Sequence, residues 1–313
     1  MKFPFQLLPN KDFDIVGFGT NAVDYLIRVA EYPSFGSKIE LDGYTRAAGG
    51  EVASTMVGLQ RLGIKTAYIG RFGDDDEGQF GLKSLVDEGV DTSLTERIQG
   101  AKTQIGFILI DGRNGERTVL WQRDKQLAYL EAEAPIHDAT RGKILHITPH
   151  DTEACIQLAR SAKKSGVIVS IDVDNLFNGV DELLSLVDIC IASAEFPERL
   201  LGIADAKEAL REINSRFGCP VTGLTLGGSG SLVLCDDSFV ETAGYEVPGG
   251  CVDTTGAGDA FRAGFLFGLL DGGTIDESAR IANAVAALKC RGLGARAALP
   301  TLKELKYLLN KSD

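Results

Sequence analysis

The cysteines of this chain lack the spacing of a metal site or of a redox pair. There is no C-x-x-C pair, and none of the three histidines forms a cluster near a cysteine. Structural zinc sites need such close spacing. Most of the cysteines stand in apolar runs, so we expect buried, reduced thiols and no zinc. The six are Cys155, Cys190, Cys219, Cys235, Cys251 and Cys290.

Long apolar runs and an excess of basic residues are also missing. No uncharged apolar run reaches the ~18 residues that a membrane span requires. The first ten residues carry one lysine and no apolar core of a signal peptide. A formal net charge of -12 and a pI of about 4.8 argue against nucleic-acid and anionic-membrane surfaces. We therefore expect a cytoplasmic protein with neither kind of partner.

Internal repeats, low-complexity tracts and linkers are absent too, while 313 residues with 44% hydrophobic content suffice for a large core. From residue 144 onward, apolar strands alternate with helices, which predicts a parallel sheet covered on both faces. Exposed strands are predicted at 25–29 and 38–41, and a hairpin around Asp111–Gly115. The prediction is one α/β domain over 1–313, with a mostly parallel sheet and a small β-sheet lid from about 21–46 and 103–123.

The stretch from Val252 to Phe261 combines a glycine turn with the start of an amphipathic helix. Free N–H groups at such a helix start favour anions. The carboxylate of Asp259 stands where an anion would bind, so it either caps the helix or does chemistry beside the anion. Phosphoryl transfer fits this pattern, because fixed N–H donors stabilise charge and a carboxylate accepts the proton of the attacking hydroxyl.

The same stretch resembles the signature of the ribokinase-like (PfkB) carbohydrate kinases. The resemblance implies that Asp259 is the general base for a sugar hydroxyl. It also implies that the amides of Gly256, Ala257 and Gly258 form an anion hole for the transferred phosphoryl group. The expected reaction is ATP- and Mg²⁺-dependent phosphorylation of a primary hydroxyl of a small sugar or sugar derivative. The expected fold is ribokinase-like.

Less specific matches to the sugar-binding residues of this family occur in the same order along the chain. Asn21-x-x-Asp24 and the pair Gly49 and Gly50 resemble residues that contact sugar hydroxyls. Ser54 stands where the family usually has a sugar-binding Asn. Arg123 resembles an arginine that faces the substrate in fructokinase-like and ketodeoxygluconate-kinase-like relatives, although an ordinary surface arginine explains it as well.

The nucleotide side also has counterparts. Thr225-x-Gly227-x-x-Gly230 resembles a segment at the nucleotide, and Asn283 resembles a residue beside adenine. Ser193 takes the first position of the family's Asn-x-x-Glu motif, which leaves Phe196 where Glu is expected. A shift of one residue would bring Glu195 there instead.

Two further expectations concern a cation and a partner. Asp253 and Thr255, with backbone carbonyls around 289–294, resemble the monovalent-cation loop of many family members, which makes K⁺ a candidate cofactor. An exposed sheet edge or face tends to pair with another chain, so we expect a homodimer through the lid.

Other classes of protein remain open. A nucleoside kinase would share the fold and Asp259, whereas a non-catalytic sugar- or nucleotide-binding regulator would explain the degraded Asn-x-x-Glu motif. A dehydrogenase ranks last, because Gly17-x-Gly19 is not followed by a third glycine. Residues 286–300 resemble the fructokinase and sulfofructose kinase branch more than the nucleoside kinases.

Overall fold

Two β-sheets of unequal size organise the chain. The computed structural model describes residues 1–113 and 115–311, and within these the chain forms thirteen strands and ten α-helices. The strands are β1 (Phe13–Phe18), β2 (Ala22–Val29), β3 (Gly43–Gly49), β4 (Thr66–Gly73), β5 (Thr95–Ile98), β6 (Ile105–Asp111), β7 (Arg117–Gln122), β8 (Gly142–Ile147), β9 (Ile168–Val173), β10 (Ile189–Ser193), β11 (Val221–Thr225), β12 (Ser231–Cys235) and β13 (Ser238–Thr242). The helices are α1 (Glu51–Arg61), α2 (Asp76–Asp87), α3 (Ile136–Ala139), α4 (Thr152–Lys164), α5 (Val180–Leu184), α6 (Phe196–Leu201), α7 (Ala206–Phe217), α8 (Ala257–Leu270), α9 (Ile275–Lys289) and α10 (Leu302–Lys311).

The large sheet has the order β13-β12-β11-β10-β9-β8-β1-β4-β5. Its strands run in one direction except for β12, which pairs antiparallel with both of its neighbours. The inner strands are nearly continuous apolar runs, and β9 is buried at all six positions. Such strands require cover on both faces. The predicted mostly parallel α/β sheet is confirmed.

Helices supply that cover as two apolar clusters, one on each face of the large sheet. On one face α8 is buried along most of its length against α1 and α9. Glycines permit the close approach: a Cβ on Gly264 would lie 2.6 Å from the Cα of Ala282 on α9. The packing fixes the N-terminus of α8 beside the sheet. Among the described residues, no helix combines the length and apolar character needed to cross a bilayer.

The small sheet has the order β3-β2-β6-β7 and is separate from the large one. Strands β6 and β7 form the predicted antiparallel hairpin, although Asn114 of its turn lies outside the described residues. The strand predicted at 38–41 is wrong, since β3 begins only at Gly43. Pairing explains the difference: β2 pairs with residues 43–49, and Ala47 packs against the small apolar cluster of Leu26, Ile108 and Ile110. Residues 38–41 are exposed and have no such partner strand in the part of the chain that the structure describes.

Candidate active site

A cavity of about 980 Å³ opens where the strands of the large sheet end. Its wall takes residues from just after four parallel strands, and open α/β sheets bind ligands at this edge. These residues are Thr20 after β1, His150 after β8, Asp174 after β9 and Glu195 after β10. The opposite wall is one face of the small sheet, to which Asp24, Gly106, Ile108, Val119 and Trp121 contribute. The site therefore lies between the two sheets.

The N-terminus of α8 reaches this cavity through a left-handed turn. Gly256 has φ 77°, and a Cβ there would lie 2.7 Å from the Cα of Ala295, so no other residue fits without strain. The amide of Ala257 donates to the carbonyl of Thr254 at 3.1 Å. The first helical bond runs from the Ala260 amide to the Gly256 carbonyl, 2.9 Å. The amides of Gly258 and Asp259 thus lack an intrahelical acceptor at a helix end that favours anions.

Asp259 lies in the first turn of α8, on the wall of the cavity. No side chain in the described part of the chain caps α8, so the carboxylate is not an N-cap. The residue is only 9% exposed, and its carbonyl accepts a hydrogen bond from the Thr55 hydroxyl of α1 at 3.3 Å. Burial raises the pKa of Asp259 to about 7, and the negative charge of Glu51 acts in the same direction. Asp259 is therefore poised to take up a proton near neutral pH.

Two charged residues that sequence reasoning missed also line the cavity. Arg262, one turn after Asp259, donates to Asp172 at 2.5 Å and to the carbonyl of Ile191 at 2.9 Å. Its charge opposes the rise in the pKa of Asp259. Glu51 begins α1, and burial together with Asp174 raises the pKa of Glu51 to about 7. The sequence could have indicated Arg262, because an arginine inside the apolar run of α8 is unusual. Glu51 gave no such indication, since it resembles an ordinary carboxylate in the first turn of a helix.

On the small-sheet side, the structure places Asp24 in the cavity wall and buries it. A Cβ on Gly49 or on Gly106 would lie 1.9 or 2.7 Å from one of its carboxylate oxygens, so both glycines make room for this side chain. Burial raises the pKa of Asp24 to about 6, although Arg296 opposes the shift. Gly50 has φ 88° and lines the cavity, while Gly49 lies behind Asp24 rather than in the wall.

Ser54 and Arg123 do not reach the cavity wall, in contrast to the expectation from the sequence. Ser54 is buried on α1, and its hydroxyl accepts a hydrogen bond from Nε of Arg296 at 3.2 Å. Arg123 donates two hydrogen bonds to Asp151, at 2.7 and 2.8 Å. A buried charge needs such partners. Both side chains are thus engaged in hydrogen bonds within the protein.

His150 lies between the rings of Trp121 and Phe177 at the cavity wall. Its Nδ1 is 3.5 Å from a carboxylate oxygen of Glu51. Burial lowers the pKa of His150 to about 4, so the imidazole is neutral at pH 7. A neutral ring offers one donor and one acceptor to a polar ligand.

The residues expected at the nucleotide share the same cavity. Ser193, Thr225, Gly227, Gly230 and Asn283 all line it. The amide nitrogen of the Asn283 side chain donates to the hydroxyl of Ser231 at 2.9 Å and to the carbonyl of Ala279 at 3.0 Å.

The residues of the degraded motif lie in different surroundings. Phe196 is fully buried in the core, whereas Glu195 lies at the cavity wall. Ser193 and Glu195 both lie in the wall, although the spacing of the motif would bring only one of them into register.

The two residues expected to bind a monovalent cation differ in their burial. Thr255 lines the cavity, but Asp253 is fully buried beneath the turn. The carboxylate of Asp253 accepts hydrogen bonds from the amide and hydroxyl of Thr255, at 2.8 and 2.7 Å, and from the amide of Gly294, at 2.7 Å.

An α/β sheet with a buried carboxylate and free helix amides at its ligand-binding edge is suited to phosphoryl transfer. The family model of the pfkB family carbohydrate kinases matches residues 14–302, and this chain belongs to that family. The ribokinase of Haemophilus influenzae is 29% identical over 301 residues, covering 93% of this chain and 96% of that protein. Fructokinase-2 of Oryza sativa subsp. japonica is 28% identical over 324 aligned residues, covering 95% and 94%.

A solved structure gives the same fold. The ribokinase of Arabidopsis thaliana, complexed with ribose and ATP, superposes with a TM-score of 0.82 at 23% sequence identity, covering 95% of this chain and 98% of that one. The ribokinase-like α/β fold predicted from the sequence is confirmed. The protein is an ATP-dependent carbohydrate kinase.

Proposed function

We propose that this kinase transfers the γ-phosphoryl group of ATP to a primary hydroxyl of a small sugar or sugar derivative, with Asp259 as the general base. The observation that carries the proposal is the Asp259 carboxylate itself. It is buried, has a pKa raised to about 7 and lies in the cavity wall beside unpaired helix amides. A base whose pKa is near the working pH combines a useful unprotonated fraction with useful basicity.

In this mechanism the sugar hydroxyl attacks the γ-phosphorus while Asp259 accepts the hydroxyl proton. A bond forms between the sugar oxygen and phosphorus, the bond from phosphorus to the bridging oxygen breaks, and ADP leaves with that electron pair. The turn from Gly256 to Asp259 supplies the anion hole for the transferred group. The amides of Gly258 and Asp259 are the principal donors, because the amide of Ala257 already has an acceptor within the turn. Such donors stabilise charge without reorganisation.

We assign the sugar to the small-sheet side of the cavity. Asp24 and Gly50 lie in the wall there and supply a carboxylate acceptor and close backbone approach. His150 adds a neutral polar group. Ser54, Gly49 and Arg123 lie behind these contacts, where Ser54 bonds to Arg296 and Arg123 bonds to Asp151.

We assign ATP to the other end, where Ser193, Thr225, Gly227, Gly230 and Asn283 form the wall. In the described part of the chain, no three Cys, His, Asp or Glu side chains are grouped to hold a metal ion. Magnesium does not need such a cage, because it retains waters and binds through one or two carboxylates plus substrate phosphates. Glu51 and Asp174 lie at the wall, close enough for the charge of Asp174 to raise the pKa of Glu51, and would hold the ion. The charge of the ion would assist the transfer.

The small sheet would act as a lid, and its outer face fits a second copy of the chain. The registers place Tyr25, Phe107 and Leu120 on the face opposite to Asp24. Phe107 and Leu120 are exposed, as is Tyr44 on β3. We propose a homodimer through this face, which light scattering after size-exclusion chromatography would detect. A monomer at micromolar concentration, unchanged by Leu120→Glu, would exclude it.

The substrate test is ADP release from Mg²⁺-ATP across a panel of ketoses, aldoses, sugar acids, sulfosugars and nucleosides. We expect one small sugar or sugar acid to respond, with phosphate located on a primary hydroxyl by ³¹P and ¹³C NMR. A response only to nucleosides would move the acceptor to the nucleoside class. Silence of the whole panel, with ATP and a sugar still bound in calorimetry, would overturn the proposed reaction.

A further inference from the structure

A buried lysine contacts the loop that leads into the anion-binding turn. Lys289 is the last residue of α9 and is 0% exposed, although lysine is almost never fully buried without a partner. Its Nζ donates to the backbone carbonyl of Asp253 at 2.9 Å. Asp253 stands three residues before Gly256, so the ammonium group is anchored to the loop that leads into the turn.

The counter-charge of Lys289 is on the same loop. The negative charge of Asp253 supports the ammonium form of Lys289 against the effect of burial, which lowers its pKa. Asp253 is itself 0% exposed. A positive and a negative charge are thus enclosed together under the turn, where solvent screens them little.

Several of the oxygens expected to bind a monovalent cation already have donors. Both carboxylate oxygens of Asp253 accept hydrogen bonds, and its carbonyl accepts from Lys289. The carbonyl of Cys290 accepts from the amide of Val252 at 2.8 Å, and that of Lys289 from the amide of Gly292 at 3.3 Å. A potassium ion needs a shell of oxygen ligands that replaces its hydration. These residues therefore do not fit K⁺, and a positive charge is already in place.

We propose that the ammonium group of Lys289 takes the place of the monovalent cation, so that the anion-binding turn is organised without potassium. The inference rests on the proposed role of the Gly256–Asp259 turn. Lys289 is a positioning residue: it holds the carbonyl of Asp253 and adds a fixed positive charge under the phosphoryl-binding amides. Because the charge is tethered, no ion has to be captured from solution, and the arrangement is preorganised.

The first test uses the wild-type protein in potassium chloride and in tetramethylammonium chloride at equal ionic strength. We expect kcat in the two salts to differ by less than about twofold. If a bound potassium ion organised the anion hole, its loss would change kcat by far more, as the loss of a single oxyanion-hole donor does. Activation by potassium of about threefold or more would overturn the proposal.

The second test replaces Lys289 by Ala, with Lys306→Ala, an exposed lysine of α10, as the matched control. We expect Lys289→Ala to lower kcat about tenfold or more, with potassium or methylammonium restoring activity through the vacated space. Lys306→Ala should remain insensitive to both ions. A loss that neither ion restores would contradict a cation-like role, since a merely structural lysine would behave in this way.

Thermal unfolding keeps this inference separate from the proposed reaction. The melting temperature of the wild-type protein should not respond to potassium specifically, whereas that of Lys289→Ala should rise with potassium but not with tetramethylammonium. The melting temperature can be measured even when no sugar is phosphorylated, so this test does not depend on the proposed reaction. A potassium-specific rise in the wild-type protein, without one in the variant, would contradict the inference.

Discussion

The two ends of the cavity are built differently. At the α8 end, the backbone makes the site: a left-handed glycine and a helix start present amides beside Asp259. At the small-sheet end, side chains make it, and several of the expected ones are engaged elsewhere. Ser54 bonds to Arg296, and Arg123 to Asp151, while Asp24 remains in the wall.

This difference separates reaction from recognition. Backbone amides and a carboxylate suit any hydroxyl acceptor, so the α8 end defines phosphoryl transfer without defining the sugar. In the proposed assignment, the small-sheet end carries the groups that distinguish acceptors, and it departs most from the expected pattern. Substitutions at the two ends should consequently alter different kinetic parameters.

The largest expected effect is at the α8 end. Asp259→Asn removes the base but keeps the size of the side chain, so kcat should fall by about 10²–10⁴-fold. ATP affinity should be unchanged within about twofold, because the carboxylate is not assigned to the nucleotide. Turnover and calorimetric binding measure the two quantities. A variant with wild-type kcat would remove Asp259 from the chemistry.

A large effect on stability, rather than on catalysis, is expected for Arg123. Arg123→Met leaves the carboxylate of Asp151, which is only 6% exposed, without its cation. Breaking such a buried pair costs about 3–5 kcal/mol of the free energy of unfolding. Denaturant titration would measure the loss, and the sugar KM should change by less than about twofold.

The double variant Arg123→Met with Asp151→Asn is the matched control, and it should recover part of that stability because no buried charge is left unpaired. A single variant with wild-type stability and a strongly raised sugar KM would instead place Arg123 on the substrate.

A smaller effect is expected at Asp24. Asp24→Asn weakens an acceptor assigned to a sugar hydroxyl, and hydrogen bonds to charged groups contribute about 1.5–3 kcal/mol. The sugar KM should therefore rise about tenfold or more, with a smaller change in kcat. Asp87→Asn, at an exposed carboxylate of α2, is the control. An unaltered sugar KM would remove Asp24 from the site.

The stability of Asp24→Asn distinguishes a loss of sugar binding from misfolding of the variant. The pKa of Asp24 is raised by burial to about 6, so its ionisation opposes folding as the pH rises from the unfolded pKa to the folded one. Asp24→Asn removes that penalty, and at pH 7 the variant should be at least as stable as the wild type in denaturant titration.

Local patterns made much of the fold predictable. Strands such as β9 are continuous apolar runs, and the turn at Gly256 is a glycine signal before an amphipathic helix. Those features depend on neighbouring residues, so a single sequence reveals them. The same holds for the hairpin of β6 and β7.

Long-range partners were not predictable in the same way. Ser54 and Arg296 are hydrogen-bonded although they are 242 residues apart in the sequence. Lys289 donates to the carbonyl of Asp253, which is 36 residues away. Only the packing of α8 between α1 and α9 brings such groups together. The predicted boundary of β3 was wrong for a related reason. The position of this strand depends on its pairing with β2 rather than on its own composition.

The most direct test of the account is the pH dependence of kcat/KM for the sugar, measured in the wild type and in Asp259→Asn at saturating Mg²⁺-ATP. A base must be unprotonated to accept the hydroxyl proton, and burial raises the pKa of Asp259. Wild-type kcat/KM should therefore rise with pH as Asp259 loses its proton, and then level off. The residual activity of Asp259→Asn should lack this rise. The same rise in the variant would assign the titrating group elsewhere and contradict Asp259 as the general base.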